Sequence, residues 1–379
     1  MKGGIKRENI IYFTYHADVD SEYNPFPGKV FTDPAPDTSG DWAQYGCFNE
    51  VDYSDDVVSK DLFLAILSGD SFTARKLTGK ENPKVLAAGP EDTVFTYFID
   101  HGSVDSIMIG HEMVTSAELL GAMRQAYLQQ LYGKWVWFME ACYSGSMFPN
   151  LPDNVNIYVM TAADDQHSAY MSNCPPHDDI AGVHLRACIS SIWDEAYMVY
   201  LEENPKETIG ELVDAVKEEV KKESDQNVSE FGDMSFRDLP LSDFFGEVPA
   251  TRVVKKDVKS IVSVDAVPRH LSKWEAIRAD KNELKRAIVE YERIVKEEAK
   301  KEVEVMRLGV SLMNEKSADA ALKNGSESYS ADCVRDLSIG LHDKCGHSFP
   351  LSESSMNVLR SICLPGLRVP EVDWSVICL

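Results

Sequence analysis

The sequence predicts an α/β fold, a mostly parallel sheet flanked by helices, followed by an α-helical C-terminal region. Three observations carry this reading. Short apolar runs rich in β-branched and aromatic residues alternate with segments of helical periodicity, the pattern of a parallel sheet with helices on its faces. The runs are near-continuous in apolar character, as expected of strands buried on both faces. After about Gly246 strand-like runs give way to charged, helix-like sequence.

In chain order, Ile10 to Tyr15 reads as the first strand. The residues before it, Met1 to Glu8, are basic at the start but hold no apolar signal core, so no secretory signal is read in the chain as given. Ser21 to Tyr53, full of Pro, Gly, Asp and Asn, reads as a long loop whose length argues for function or for packing over a site. Lys60 to Ser68 is helical. Val94 to Ile99 is a strand, Ser116 to Leu131 a helix capped by Ser116 or Thr115, Trp135 to Met139 a strand and Ile157 to Met160 another. Leu185 to Glu202 and the charged stretch Thr208 to Glu223 complete the helices of this part. Glu247 to Arg269 is a connector, Lys273 to Met313 a long charged amphipathic helix or helix pair, and Asn314 to Asp332 a polar loop; the rest to Leu379 is mostly helical. The expected organisation is a domain over residues 1–246, a connector over 247–285 and a helical domain over 286–379.

Composition narrows the function. A chain of 379 residues with 44% hydrophobic content supplies a sizeable core. Its 38 basic against 62 acidic residues, net −24, argue against nucleic acid or an anionic membrane as the main partner. No run reaches the roughly 18 consecutive apolar residues of a membrane span. Cys333, Cys345, Cys363 and Cys378 crowd the C-terminal end, at spacings that fit neither a zinc site nor a redox motif. Disulfides in an oxidising compartment and reduced core thiols both account for them, and four cysteines allow three pairings. No metal or cofactor is expected. The sequons Asn227-Val228-Ser229 and Asn324-Gly325-Ser326 agree with a secretory route.

The chemistry sits at two polar segments, Asp100-His101-Gly102-Ser103 and Glu140-Ala141-Cys142-Tyr143-Ser144-Gly145-Ser146-Met147, each directly after an apolar run. In an open α/β sheet, ligands bind at the carboxyl ends of the strands, so His101 and Cys142 are expected over one edge. A cysteine attacks a carbonyl as its thiolate, which a nearby histidine promotes. The backbone amides of Gly102 and Cys142 are candidates for an oxyanion hole. Glu140, two residues from the thiol, either meets a polar substrate side chain or is paired to backbone amides alone. Asp100 either orients His101 or ends the strand. The bland alternative is a buried core thiol and a strand-end histidine. His16, His111, His167, His177 and His184 are isolated in sequence and read as structural or exposed.

These two segments resemble those of the legumains, asparaginyl endopeptidases of the caspase-like cysteine protease clan. Similar too are Asn24 to Val30, Val51 to Asp70, Lys84 to Phe98 and Val155 to Ala163, so the likeness covers most of residues 8–245. Ala181 to Leu185 faintly resembles the clan's lipid-anchor-attaching enzyme instead. The legumain resemblance implies a caspase-like sheet and a helical prodomain, here 286–379, that covers the active site. It further implies a Cys142–His101 dyad cleaving after Asn, or Asp, with Glu140, Ser168 and Tyr170 in the substrate pocket. Autoactivation in acid is implied, with Asp280 and Asn282 as candidate cleavage points, and disulfides Cys333–Cys363 and Cys345–Cys378. Implied partners are protein or peptide substrates, the chain's own prodomain and cystatin-type inhibitors. The implied location is lysosomal, vacuolar or secreted.

Two departures are visible. The family's opening strand, which carries an Asn that orients the catalytic His and an Arg-His pair for the pocket, has no counterpart in this chain, so the peptidase domain reads as N-terminally incomplete. Ala187 stands where the family has an acidic pocket residue, which loosens the expected asparagine selectivity. A catalytically inactive caspase-like binding or inhibitory module, and a transamidase or peptide ligase sharing the thioester chemistry, are the alternative readings.

Overall fold

The computed structural model describes residues 5–15, 24–32, 34, 51–54, 57–110, 112–185, 187–246, 262–263, 300–301, 303–313, 321, 329–346, 351, 353–365 and 372–378. The chain forms two compact units, residues 1–100 with 107–261 and residues 101–106 with 262–379. Cys47, His16, His111, Asn324, the connector apart from residues 262–263, Asp280 and Asn282 lie outside the described residues.

The first unit begins with β1 (Phe13–Thr14) and β2 (Tyr53–Ser54), a parallel pair. Asp52 ties the pair down: it accepts from the Tyr12 amide at 2.8 Å and from Arg7 at 3.0 Å, and pairs with Lys84 at 3.1 Å. Burial works against the Asp52 charge, yet these donors hold its carboxyl below the usual range. The strand expected over Ile10 to Tyr15 is thus only two residues long. Tyr53, expected to end a loop, is instead a buried strand residue.

Two helices follow, α1 (Lys60–Leu67), capped by Ser59, and α2 (Ser71–Thr78), capped by Asp70. Next come β3 (Thr93–Ile99), then β4 (Gly102–Ser103) in the segment that belongs to the second unit, the short strands β5 (Ser106–Ile109) and β6 (Glu112–Thr115), and α3 (Ser116–Leu128). Thr115 closes a full capping box with Glu118, and this fixes where α3 starts. Then come β7 (Lys134–Glu140), β8 (Ile157–Thr161), β9 (Tyr170–Ser172), β10 (Asp179–Ile180), β11 (Val183–His184) and β12 (Ser190–Ser191). The unit continues with α4 (Ile192–Glu203), α5 (Ile209–Glu223), β13 (Ser229–Gly232) and α6 (Ser242–Phe245). The helix expected from Leu185 starts only at Ile192. Residues 190–191 pair with β9, and the Ser191 side chain caps α4 by accepting from the Asp194 amide.

The main sheet has the order β13-β8-β7-β3, with β3, β7 and β8 parallel and β13 antiparallel. Among the described residues β3 is an outer strand, and Tyr97 and Ile99 on it are 37% and 49% exposed. One face of the sheet packs Trp135, Trp137, Met139 and Val159 against Phe63 and Leu67 of α1 and Leu119 and Met123 of α3. The other face carries Phe138, whose ring lies 5.2 Å from Phe95, 5.4 Å from Tyr197, 5.8 Å from Trp193 and 5.8 Å from Phe245. Phe138 is fully buried. Phe138→Ala is therefore expected to cost about 3–5 kcal/mol, read as a lowered midpoint in urea unfolding at unchanged slope.

The second unit contains α7 (Ala331–Cys345), α8 (Glu353–Ile362) and α9 (Trp374–Ile377). Ser330 caps α7, inside the stretch expected to be loop. Disulfides join Cys333 to Cys363 and Cys345 to Cys378. Val334, Leu337, Leu341, Leu359 and Ile377 are buried here. Gly340 permits a close helix crossing: a Cβ on it would stand 2.1 Å from the Trp374 ring. Within this unit Arg335 pairs with Asp105 at 2.5 Å, and the Ser103 hydroxyl lies 3.8 Å from the Met356 sulfur.

Candidate active site

Parallel register brings β3 and β7 to the same level: Ile99 stands opposite Glu140, and the Asp100 amide extends the ladder by donating to the Glu140 carbonyl at 3.3 Å. His101 is the next residue after one strand and Cys142 the second after the other. Asp100 thus continues the strand pairing through its backbone.

Cys142 is 1% exposed and is the one cysteine among the described residues that is not in a disulfide. Tyr143 after it has φ of 54°, a left-handed conformation that costs a non-glycine residue about 1 kcal/mol. The chain then turns into a short 3₁₀ helix, Ser144–Met147. Every backbone turn of this loop is held from outside. The Tyr143 amide donates to the His167 carbonyl at 3.0 Å, and the Gly145 amide to the Ala163 carbonyl at 3.0 Å. The Ser144 hydroxyl accepts from the Ala163 amide at 3.1 Å, and Ser116 donates to the Met147 carbonyl at 2.7 Å. Gly145 has no room for a side chain, since a Cβ would meet the Asp164 Cα at 2.8 Å. A strained, fully tethered turn at a strand end fixes a nucleophile before substrate arrives.

The loop after β8 is organised by Asp164. It accepts from the Gln166 and His167 amides at 2.8 and 2.9 Å, from Asn227 at 2.8 Å, and pairs with His167 Nδ1 at 2.8 Å. Burial opposes its charge, but these hydrogen bonds hold the carboxyl below the usual range. His167 is therefore the partner of an acid, and its backbone touches the Cys142 loop. Ser168 follows directly, and Tyr170 opens β9, its amide donating to Gln226, which itself reaches the Ala162 carbonyl. Ser168 and Tyr170 thus sit on the stretch that braces the thiol loop. Ala187 is exposed, beside a disulfide between Cys174 and Cys188 that the sequence reading leaves unassigned.

Glu140 is 2% exposed, and neither of its oxygens makes a hydrogen bond of full geometry, the Ser191 hydroxyl being the donor beside it. Its neighbour is the buried carboxyl of Asp194 on α4, to which Tyr97 donates at 2.9 Å to both oxygens. Glu140 is therefore not simply paired to backbone amides. Burial first, and then the Asp194 charge, push the Glu140 carboxyl well above the usual carboxylate range. Burial raises Asp194 as well, against the hydrogen bonds from Glu140, Tyr97 and Ser191. Both folded-state values lie above the unfolded ones, so the pair favours the fold in acid, and that contribution is lost as pH rises through the raised values. Tyr97 and Asp194 escape the sequence reading; the signal was a pair of acids inside the otherwise apolar opening of a helix, Ile192-Trp193-Asp194-Glu195-Ala196-Tyr197. Among the described residues no group of three or more His, Cys, Asp or Glu side chains could hold a metal ion, and no helix is long and apolar enough to cross a membrane.

Fold and strand register define an α/β protein with a cysteine segment and a histidine segment at the carboxyl ends of two neighbouring parallel strands. The peptidase C13 family model matches residues 1–247, and the chain belongs to that family. Legumain of Mus musculus is 34% identical over 245 residues, 65% of this chain and 52% of that protein. Legumain of Homo sapiens is 33% identical over 245 residues, 65% and 53%. The vacuolar-processing enzyme beta-isozyme 1 of Oryza sativa subsp. japonica is 30% identical over 257 residues, 66% and 50%. The chain spans about half the length of the curated relatives it matches.

Proposed function

We propose that this chain is the zymogen of a cysteine endopeptidase that hydrolyses peptide bonds after Asn or Asp. The observation that carries the reading is the register that sets Ile99 opposite Glu140 and so starts both polar segments at one level. Cys142 Sγ attacks the peptide carbonyl carbon, and His101 takes the thiol proton and passes it to the leaving amine as the C–N bond breaks. Water then hydrolyses the thioester. The Gly102 and Cys142 amides stabilise each oxyanion, and Glu140, Ser168 and Tyr170 receive the substrate side chain. An amine in place of water would give the ligase or transamidase outcome of the same thioester. The name of the vacuolar-processing enzyme supports a vacuolar location, and the peptidase family supports protein or peptide substrates.

The test is labelling by an electrophilic, cysteine-directed activity probe after acid treatment. Labelling of the wild type and not of Cys142→Ala supports the enzyme. A folded chain that never labels supports the inactive module, the reading favoured by the outer position of β3.

In this reading, residues 286–379 form a latency domain, released by cleavage at Asp280 or Asn282. The Arg335–Asp105 pair supports it, because Asp105 lies in the short segment that follows His101. Arg335 stays charged at all working pH, so the pair lasts for as long as Asp105 carries its charge. Asp105→Asn removes that charge and with it the tether, and Asn tolerates the φ of 60° at this position. Incubation across pH 4–7 with mass spectrometry of the fragments is expected to show cleavage near pH 5 for the wild type and at higher pH for Asp105→Asn. A chain intact at every pH would sink the proposal.

A further inference from the structure

Two acids buried side by side need a reason, because a second buried charge next to the first is strongly unfavourable. The immediate surroundings of Glu140 are Asp194 and Tyr197 from α4, Ser191 at the cap of α4 and Tyr97 from β3. That set holds two acids, two phenols and a hydroxyl, and no cation. A carboxyl pair forms a hydrogen bond only when one member carries a proton, so a single shared proton is the economical state.

The donors decide where it rests. Tyr97 Oη lies 2.9 Å from both oxygens of Asp194, and burial together with these acids keeps the phenol protonated and donating. Glu140 has only the Ser191 hydroxyl beside it, shared with Asp194 and outside full hydrogen-bond geometry. Asp194 is thus the solvated-like partner, accepting from Tyr97, and Glu140 is the one that must supply a proton.

We infer that Asp194 is a positioning residue: held by Tyr97 as an acceptor, it keeps the proton on Glu140, so that Glu140 turns an uncharged oxygen towards the substrate. This deepens the peptidase reading and rests on Glu140 lining the pocket. An uncharged carbonyl oxygen accepts from a carboxamide N–H without offering a full charge to a cation. The pocket therefore selects a primary carboxamide over an ammonium group of similar size. The Asp194 charge is held back from the substrate by one carboxyl and capped by one phenol.

Two measurements on the full-length chain test this. Infrared difference spectra of the folded protein at pH 7 should show the C=O band of a buried carboxylic acid, lost in Glu140→Gln and weakened in Asp194→Asn, where Glu140 ionises. No such band, or one untouched by Glu140→Gln, overturns the proton pair whether or not the chain cleaves peptides. On acid-treated enzyme, kcat/KM is compared for peptides carrying Asn or 2,4-diaminobutyrate at the cleaved position. The diaminobutyrate-to-Asn ratio is expected to rise about tenfold in Asp194→Asn, equivalent to ~1.4 kcal/mol. A purely structural role would lower both rates and leave the ratio alone, which overturns the positioning role. If Asp194→Asn does not fold, Tyr97→Phe keeps the ring, removes both hydrogen bonds and lets the proton move to Asp194: the ratio is expected to rise as in Asp194→Asn, while the carboxylic acid band persists at a shifted frequency. A band that behaves as expected in a chain cleaving no peptide overturns the substrate clause and the peptidase reading together, and leaves the shared proton standing.

Discussion

Replacing Cys142 with alanine is expected to lower peptide cleavage by about 10⁴-fold or more, the scale seen when the nucleophile of a catalytic unit is removed. Covalent labelling by a thiol-directed probe should vanish altogether. The fold should hardly respond. Cys142 is buried, but the loop around it is tied by backbone bonds from Tyr143, Gly145 and Ala163 that a methyl side chain leaves in place. An unchanged melting temperature beside lost labelling therefore assigns the loss to chemistry. His101→Ala is the companion, since a thiol without its base keeps a higher pKa and reacts more slowly at neutral pH. Its labelling should return as pH rises, whereas that of Cys142→Ala should not. Equal cleavage by wild type and Cys142→Ala would overturn the peptidase reading.

The strands that carry this site were legible because their residues leave few alternatives. Val94 to Ile99 and Trp135 to Met139 are too apolar to face water and too short for ordinary helices, and the structure extends each by only a residue or two. Capping was equally readable at Thr115 and Thr208, where a glutamate follows three residues later. What the sequence concealed are partners distant along the chain. Tyr97 meets Asp194 across 97 positions and Asp105 meets Arg335 across 230. Nothing in local periodicity reports such pairings. The late start of α4 has a similar cause: Leu185 to Ile189 scans as helical, but the Cys174–Cys188 bond and the pairing of Ser190 and Ser191 with β9 claim that backbone first.

The outer position of β3 bears on how the two readings compete. A parallel strand is usually buried by neighbours on both sides, and exposed Tyr97 and Ile99 leave its outer edge facing solvent in the described residues. Yet on its other side β3 meets β7 in a ladder that is complete from Thr93 to Ile99. An open edge threatens solubility before it threatens the register of β3 against β7.

Gly145→Ala separates loop geometry from the mere presence of a thiol. The added methyl would stand 2.8 Å from the Asp164 Cα, 2.9 Å from its carbonyl carbon and 3.2 Å from the Ala163 oxygen, all backbone atoms fixed by β8 and the Asp164 turn. The Cys142 loop is the side that must move. A shift of about 1 Å at a reacting group costs roughly 100-fold in rate. Labelling of Cys142 is therefore expected to slow about 100-fold, with about 1–3 kcal/mol lost from stability through overpacking. Gly121→Ala is the matched control: Gly121 lies in α3 with nothing within 4 Å of an added Cβ. It should leave labelling unchanged and raise stability by up to about 1 kcal/mol through helix propensity. Wild-type labelling in Gly145→Ala would mean that the tethered turn does not set the reactivity of the thiol. Slow labelling in a protein that still unfolds cooperatively would place that reactivity in the geometry of the loop, built by Ser144, Gly145 and Ala163 around a single strained tyrosine.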